Sequence, residues 1–373
     1  MLSFWEQNSF QSFDVVIIGA GISGLSTAAS LKEKDNRLNI LVVERGTLPT
    51  GASTKNAGFA CFGSVSELVG DRLALGDDGM TKLVHRRWQG LQKTIQRLGE
   101  ERIGLLKKGG YELIHEGASF KEDQMEEINQ LLHPIFRDQV FSKNNRALSR
   151  FKFGKTKELI YNQFEAQLDT GAMMRSLWAY CSQLGIHIIT GTEVLQFQPS
   201  GNGIEIETQN MVFKARSMAV CTNAFTNRLV SDDLDLQPGR GMVMMVEPEK
   251  PTEISGTFHY DEGYYYFRDY HGKLIFGGGR NLAIEDEATD AFGINQKIYA
   301  RLEGDLQEII LPNQRFEIKQ TWSGIMAFGA DKSPIVKKIS DRSYLGVRLG
   351  GMGVALGSMV GEELSDLILS DGF

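Results

Sequence analysis

The sequence predicts an α/β protein organised around a dinucleotide-binding βαβ unit. Three observations near its start carry that prediction. Residues 13–18, Phe-Asp-Val-Val-Ile-Ile, form an apolar run rich in β-branched side chains, as a buried parallel strand requires. The glycine turn Gly19-Ala20-Gly21-Ile22-Ser23-Gly24 follows at once, and a second apolar run over 38–43 ends in Glu44, twenty residues after Gly24.

Each part of this unit has a physical task. Gly19 permits the tight turn, Gly21 lets a pyrophosphate approach the backbone, and Gly24 lets helix and strand pack closely. The helix that runs on to about Lys34 presents free N–H groups and a positive dipole end at its N-terminus. Glu44 is placed to accept hydrogen bonds from ribose hydroxyls. A glycine motif alone is a weak signal, whereas strand, glycines, helix, strand and terminal acid in this order are a strong one.

At 373 residues the chain is long enough for two domains, and 42% apolar residues supply a sizeable core. A net charge of −7 argues against nucleic acid as an obligatory partner. No apolar run approaches the length that spans a bilayer, so no integral membrane segment is expected. Residues 1–31 hold no Lys or Arg, so the strand near Val15 lacks the basic flank of a signal peptide. Cys61, Cys181 and Cys221 are odd in number and far apart, which suggests a reducing compartment rather than a disulfide framework. The expected location is cytoplasmic.

Along the chain, residues 1–12 are expected to pack on the surface. After Glu44, Arg45 opens a turn-rich loop that continues as Ser53-Thr54-Lys55-Asn56-Ala57-Gly58, whose small residues let a flat ring lie against backbone. A long amphipathic helix runs from Met80, with Val84, Trp88, Leu91, Ile95 and Leu98 on one face. Residues 111–115 read as a strand and 125–132 as a helix. Asp169 caps a helix carrying Met173, Leu177 and Leu184, which Gly185 ends. Strands follow at 186–189, 204–207 and 212–220. A β-rich stretch covers 241–279, with strands at 242–246, 263–269 and 273–276. There Tyr264, Tyr266 and Arg268 alternate onto one face, and Tyr265 and Phe267 onto the other. An amphipathic helix spans 296–310 and a strand 344–349. Gly350-Gly351-Met352-Gly353 then leads into a closing helix from Val354.

The closing glycines are not a second dinucleotide turn, since no further strand with an acid follows. They start a helix whose N-terminus suits an electron-rich group. A reduced flavin gathers negative charge on its N1–C2=O edge, which a positive dipole end stabilises, so flavin is favoured over nicotinamide.

These pieces resemble the D-amino-acid-oxidase-type FAD-dependent oxidoreductases, which include glycine oxidase, sarcosine oxidase and γ-glutamylputrescine oxidase. The resemblance also rests on Cys221-Thr222-Asn223-Ala224, Pro238-Gly239-Arg240-Gly241, residues 264–278, and Trp322-Ser323-Gly324 with Asp331 and Pro334. It implies a Rossmann-like, glutathione-reductase-type FAD-binding domain from residues 1–80, 163–226 and 321–373. Residues 81–162 and 227–320 would form an inserted α+β substrate domain on a mixed or antiparallel sheet.

With FAD as cofactor, the resemblance places Gly19, Ala20, Gly21, Ile22, Ser23 and Gly24 at the pyrophosphate, and Glu44 and Arg45 at the adenosine ribose. Val194, Thr222 and Asn223 would stand on the adenine side. Ser53, Lys55, Asn56, Ala57 and Gly58 would lie against the isoalloxazine ring. Gly351, Gly353 and Val354 would face its pyrimidine edge, with Met352 and Gly324 also on the cofactor.

The implied chemistry is hydride transfer to flavin N5 from the α-carbon of an amine or amino acid, giving an imine that water hydrolyses. It needs positioning and a deprotonated amine more than a dedicated base. The six histidines show no metal-ligand spacing, and no metal is expected. Two departures from the family pattern bear on substrate and acceptor. Amino-acid oxidases of this type carry an Arg just after the Trp-Thr-Gly-like motif, where Met326 stands here. Sarcosine-oxidase-like members place an oxygen-activating Lys before the glycine pair, where this chain has Ile275 and Phe276. The acceptor is therefore oxygen or a quinone or protein carrier. Tyr266 and Met326 are candidates for the substrate side, and Arg268, Arg240 or Lys55 for holding a carboxylate. Two alternatives stay open: an FAD-dependent 2-hydroxy-acid dehydrogenase, and a flavoprotein whose FAD is structural.

Overall fold

The computed structural model describes residues 3–117, 121–230 and 233–372 and contains two eight-stranded sheets. Across the first run Ile335–Ser340, Ser343–Val347, Val212–Val220, Ser12–Ile18, Ile40–Val43 and His187–Ile189. The last five are mutually parallel, and Ile335–Ser340 is an antiparallel edge. The hairpin Val194–Ser200 and Gly203–Thr208 joins antiparallel to the first half of Val212–Val220. Strands covered on both faces must be apolar throughout, and Val15, Val16, Ile17 and all of Ile40–Val43 are buried.

Two helices cover one face of this sheet, and their contact places both N-termini at one end. A Cβ on Gly357 would fall 2.1 Å from Ile22 Cγ2, and one on Gly361 would fall 2.5 Å from the carbonyl carbon of Ser26. Ile22–Lys34 and the closing helix Gly353–Ser370 therefore pack backbone to backbone and run parallel. The start of the closing helix thus lies beside the opening glycine turn.

The second sheet runs Phe316–Phe328, Gln237–Pro248, Lys273–Gly278, Tyr265–Tyr270, Thr257–Tyr260, Gly110–His115, Thr156–Asn162 and Phe141–Lys143. It is antiparallel except between Thr257–Tyr260 and Gly110–His115, hence mixed. One face, with Met242, Met244, Phe276, Tyr265 and Phe267, packs against Ile298 and Leu302 of helix Gln296–Asp305. The other turns towards the first domain.

Several elements depart from the sequence reading. The long helix begins at Val65, not Met80; Gly76, at φ 73°, kinks it and interrupts its periodicity. The helix expected to reach residue 310 is α-helical to Asp305 and widens into a π turn over Leu306–Ile310. Phe316–Phe328 and Ile335–Ser340 were not expected as strands, because half-exposed polar residues break their alternation. The expected domain boundary at 320/321 falls inside Phe316–Phe328, whose pairing is with Gln237–Pro248, and the one at 80/81 falls inside Val65–Leu98. The surface stretch 1–12 contains the helix Phe4–Phe10, with Phe4, Trp5 and Phe10 exposed; Met1 and Leu2 lie outside the described residues.

Candidate active site

A cavity of about 980 Å³ lies between the C-terminal ends of the first sheet's parallel strands and the open face of the second sheet. Ligands in open α/β sheets bind at this end of the strands. The glycine turn forms one wall. Gly19 adopts φ 103°, and a Cβ there would stand 2.9 Å from the Cys221 carbonyl oxygen. A Cβ on Gly24 would stand 1.9 Å from the Gly19 carbonyl oxygen, so no side chain fits. The N–H of Ile22, in the first turn of the helix, donates to Ser53 Oγ at 2.9 Å.

Glu44 is held by main chain: its Oε2 accepts the Ala20 N–H and its Oε1 the Gly46 N–H, each at 2.9 Å. Each carboxylate oxygen has two lone pairs, so acceptor capacity remains towards the cavity that Glu44 lines. Arg45 pairs with Glu193 at 3.7 Å and stands 4.6 Å over the ring of Phe225. Val194, Thr222 and Asn223 share this end. Asn223 Oδ1 also accepts the N–H groups of Arg348 and Leu349, tying the strand end to the closing turn.

The loop of small residues forms a shelf between the two sheets. Asn56 locks it: Oδ1 accepts from the Gly58 N–H and Thr170 Oγ1 at 2.9 Å, and Nδ2 donates to the Ser53 carbonyl at 2.9 Å. Trp322 Nε1 donates to the Lys55 carbonyl at 3.0 Å, joining shelf to second sheet. Opposite, Gly351 adopts φ 82° before the closing helix. Leu356 N–H closes the first i−4 bond, to the Met352 carbonyl at 2.9 Å. The N–H groups of Gly353 and Val354 lie ahead of it at a positive dipole end.

On the cavity face of the second sheet, register places Tyr266, Gly277, Val243 and Trp322 in one row. Gly241 faces Gly324 in the next row, and both line the cavity, flanked by Met326. His259, paired with Tyr266, lines it too. Its Nε2 meets Glu165 Oε1 at 2.5 Å. Burial pulls the imidazole's pKa down, but the Glu165 carboxylate, reinforced by Glu67 and Glu112, outweighs it and lifts the value to about 9. Cys61 stands with this pair, the three ligand atoms lying within 4.8 Å of one another, a cluster that spacing in the sequence did not show. Glu165 is engaged with His259, and burial pushes the Cys61 thiol well up, so the set is a charged hydrogen-bonded pair beside a neutral thiol.

Some expected site residues lie elsewhere. Arg268 is buried behind the shelf, and its guanidinium donates to the carbonyls of Ala57, Leu168 (3.0 Å) and Asp269 (3.4 Å). Burial pulls its pKa down to about 10. Arg240 is bidentate to Glu287 at 2.8 Å on each arm. Neither is among the residues that line the cavity. Ala20 and Gly24 also lie outside the lining; the Ala20 N–H goes to Glu44, and Gly24 packs on Gly19. Arg280, which does line the cavity, was missed: it follows Gly277-Gly278-Gly279, where no periodicity marks a side chain's direction.

The fold and cavity together define a dinucleotide-binding α/β protein with a separate sheet facing the cavity. The chain belongs to the DAO family of FAD dependent oxidoreductases, which matches residues 14–367, and FAD is accordingly its coenzyme. It is 21% identical over 373 aligned positions to the probable oxidoreductase OrdL of Haemophilus influenzae, covering 96% of this chain and 83% of that protein. Glycine oxidase from Geobacillus kaustophilus shares the fold with a TM-score of 0.75 at 20% identity, covering 96% of this chain and 95% of that one. L-proline dehydrogenase from P. horikoshii does so with a TM-score of 0.76 at 17% identity, covering 97% and 94%. The cavity fits FAD: bare glycine backbone lies at one helix N-terminus, an acid at the ribose position, a flat shelf between, and a second helix N-terminus beyond. Among the described residues no helix is long and apolar enough to cross a membrane.

Proposed function

We propose that this chain oxidises the C–N bond of a small amine or amino acid, yielding an imine that water hydrolyses. Bound FAD supplies the hydride acceptor. The chain's own residues bind, orient and enclose. The shelf 53–58 and the Gly241–Gly324 pair border the cavity, with the Lys55 and Met326 side chains against the two glycines, and Tyr264 and Tyr266 add aromatic surface to its wall.

One observation favours an amine over a 2-hydroxy acid. Loss of hydride from an alcohol carbon needs a base to take the hydroxyl proton, whereas an uncharged amine needs none. Among the described residues, His259 is the one imidazole lining the cavity, and Glu165 holds it protonated. A ring whose proton is held on the Glu165 carboxylate is a poor base for a hydroxyl.

We assign the electron acceptor to a quinone or protein carrier. Ile275 is buried in an apolar cluster with Ala57 and Val243, where an oxygen-activating lysine would otherwise stand. Three buried free cysteines support a cytoplasmic setting. The test is flavin reduction by an amino acid deuterated at its α-carbon. A primary isotope effect with release of ammonia or amine is expected, followed by slow recovery in oxygen and fast recovery with a quinone. Reduction without an isotope effect contradicts the reading.

A further inference from the structure

Six Arg and Lys side chains line the cavity among the described residues, and four are matched by carboxylates. Arg45 pairs with Glu193, Arg228 with Asp290, and Arg87 and Lys332 both with Asp71. Lys55 and Arg280 are left. Lys55 is carried by the shelf, its Cβ 3.1 Å from where a Cβ on Gly324 would stand, and its Nζ lies 5.1 Å over the ring of Phe292, which neighbours Phe225.

Arg280 is different. Its guanidinium lies over the Phe328 ring at 4.0 Å, and among the described residues no carbonyl or carboxylate accepts a hydrogen bond from it. A guanidinium has five donors, and stacking uses none of them. Its Nη1 lies 3.6 Å from where a Cβ on Gly239 would stand. Gly239, covered by the Phe328 ring, pairs with Met326, two residues along the strand from the Gly241–Gly324 pair. Its charge is sensed by Tyr264 and by Glu287, and that carboxylate is already bidentate to Arg240. A partly desolvated cation that lines the cavity with free donors is a site for a planar anion.

We infer that Arg280 binds the carboxylate of the substrate, which makes that substrate an amino acid rather than a simple amine. The inference rests on the proposed C–N oxidation and relocates carboxylate recognition. Met326 fills the position after the Trp322 motif with an apolar side chain, and the cation reaches the same slot from the turn after Lys273–Gly278.

Binding to the resting holoenzyme tests this without turnover. Benzoate and its neutral analogue benzamide are titrated against FAD-loaded wild type, Arg280→Met and Arg280→Lys, following the visible flavin spectrum. FAD content and the unliganded spectrum report that each variant is folded. Wild type should bind benzoate at least about tenfold more tightly than benzamide. Arg280→Met should lose about 30-fold or more in benzoate affinity and little for benzamide, with Arg280→Lys between. Equal benzoate affinity in wild type and Arg280→Met, or a wild type that binds neither ligand or does not distinguish them, would overturn the assignment. Benzoate discrimination in a protein that reduces its flavin with no amine or amino acid would instead leave Arg280 standing and sink the proposed reaction.

Discussion

The indole Nε1 of Trp322 donates to the carbonyl oxygen of Lys55 at 3.0 Å, across 267 positions of sequence. This bond ties the loop 53–58, where we place the flavin ring, to the second sheet. Trp322→Phe keeps an aromatic ring, smaller than the indole, and removes the donor. The expected result is a loss of about 1 kcal/mol in stability, read by thermal unfolding of the holoprotein, with a lower rate of flavin reduction from a looser slot.

Glu44 holds the main chain of the glycine turn and lines the cavity where we place the FAD ribose. Glu44→Ala leaves the N–H groups of Ala20 and Gly46 without their acceptor, at about 1–3 kcal/mol each where buried. FAD affinity measured by flavin fluorescence should fall at least about tenfold. Glu44→Gln, which keeps one acceptor oxygen, should fall less.

Arg268 is predicted to act on stability and not on substrate. Its donors serve the carbonyls of Ala57 and Leu168, which border the shelf. Arg268→Met should lower the melting temperature and weaken FAD retention, while FAD-loaded enzyme keeps its KM. A KM raised with unchanged stability would return Arg268 to the substrate side.

The His259–Glu165 pair gives a pH dependence of defined sign. The folded pKa of His259, about 9, lies above its ordinary value of 6.5, so the protonated ring is bound more favourably in the folded state. The resulting stability is fully present below about pH 6.5 and is lost as pH rises through about 9. Melting temperature of wild type should fall across that window. In His259→Gln the same window should be flatter, with a lower plateau on the acid side.

The opening βαβ unit was legible because its signals are local: strand, turn, helix and acid all fall between Ser12 and Glu44. The face on which Tyr266 and Arg268 lie was legible too, from period-two alternation. What alternation does not encode is the partner. Arg268 meets a carbonyl 211 positions away and Arg240 a carboxylate 47 away, and these contacts, not the face, decide what each guanidinium does. Arg280 escaped notice for the opposite reason. It gains meaning from the hydrogen-bond partners it lacks among the described residues, a property visible after the chain is folded.

The most direct test of the central claim is anaerobic addition of amino acids, simple amines and 2-hydroxy acids to FAD-loaded protein, with the yellow colour followed by absorbance. The account predicts bleaching by one or more amino acids, and weaker or no bleaching by the matching decarboxylated amines. Bleaching by 2-hydroxy acids alone, or by none of the three classes, would contradict it.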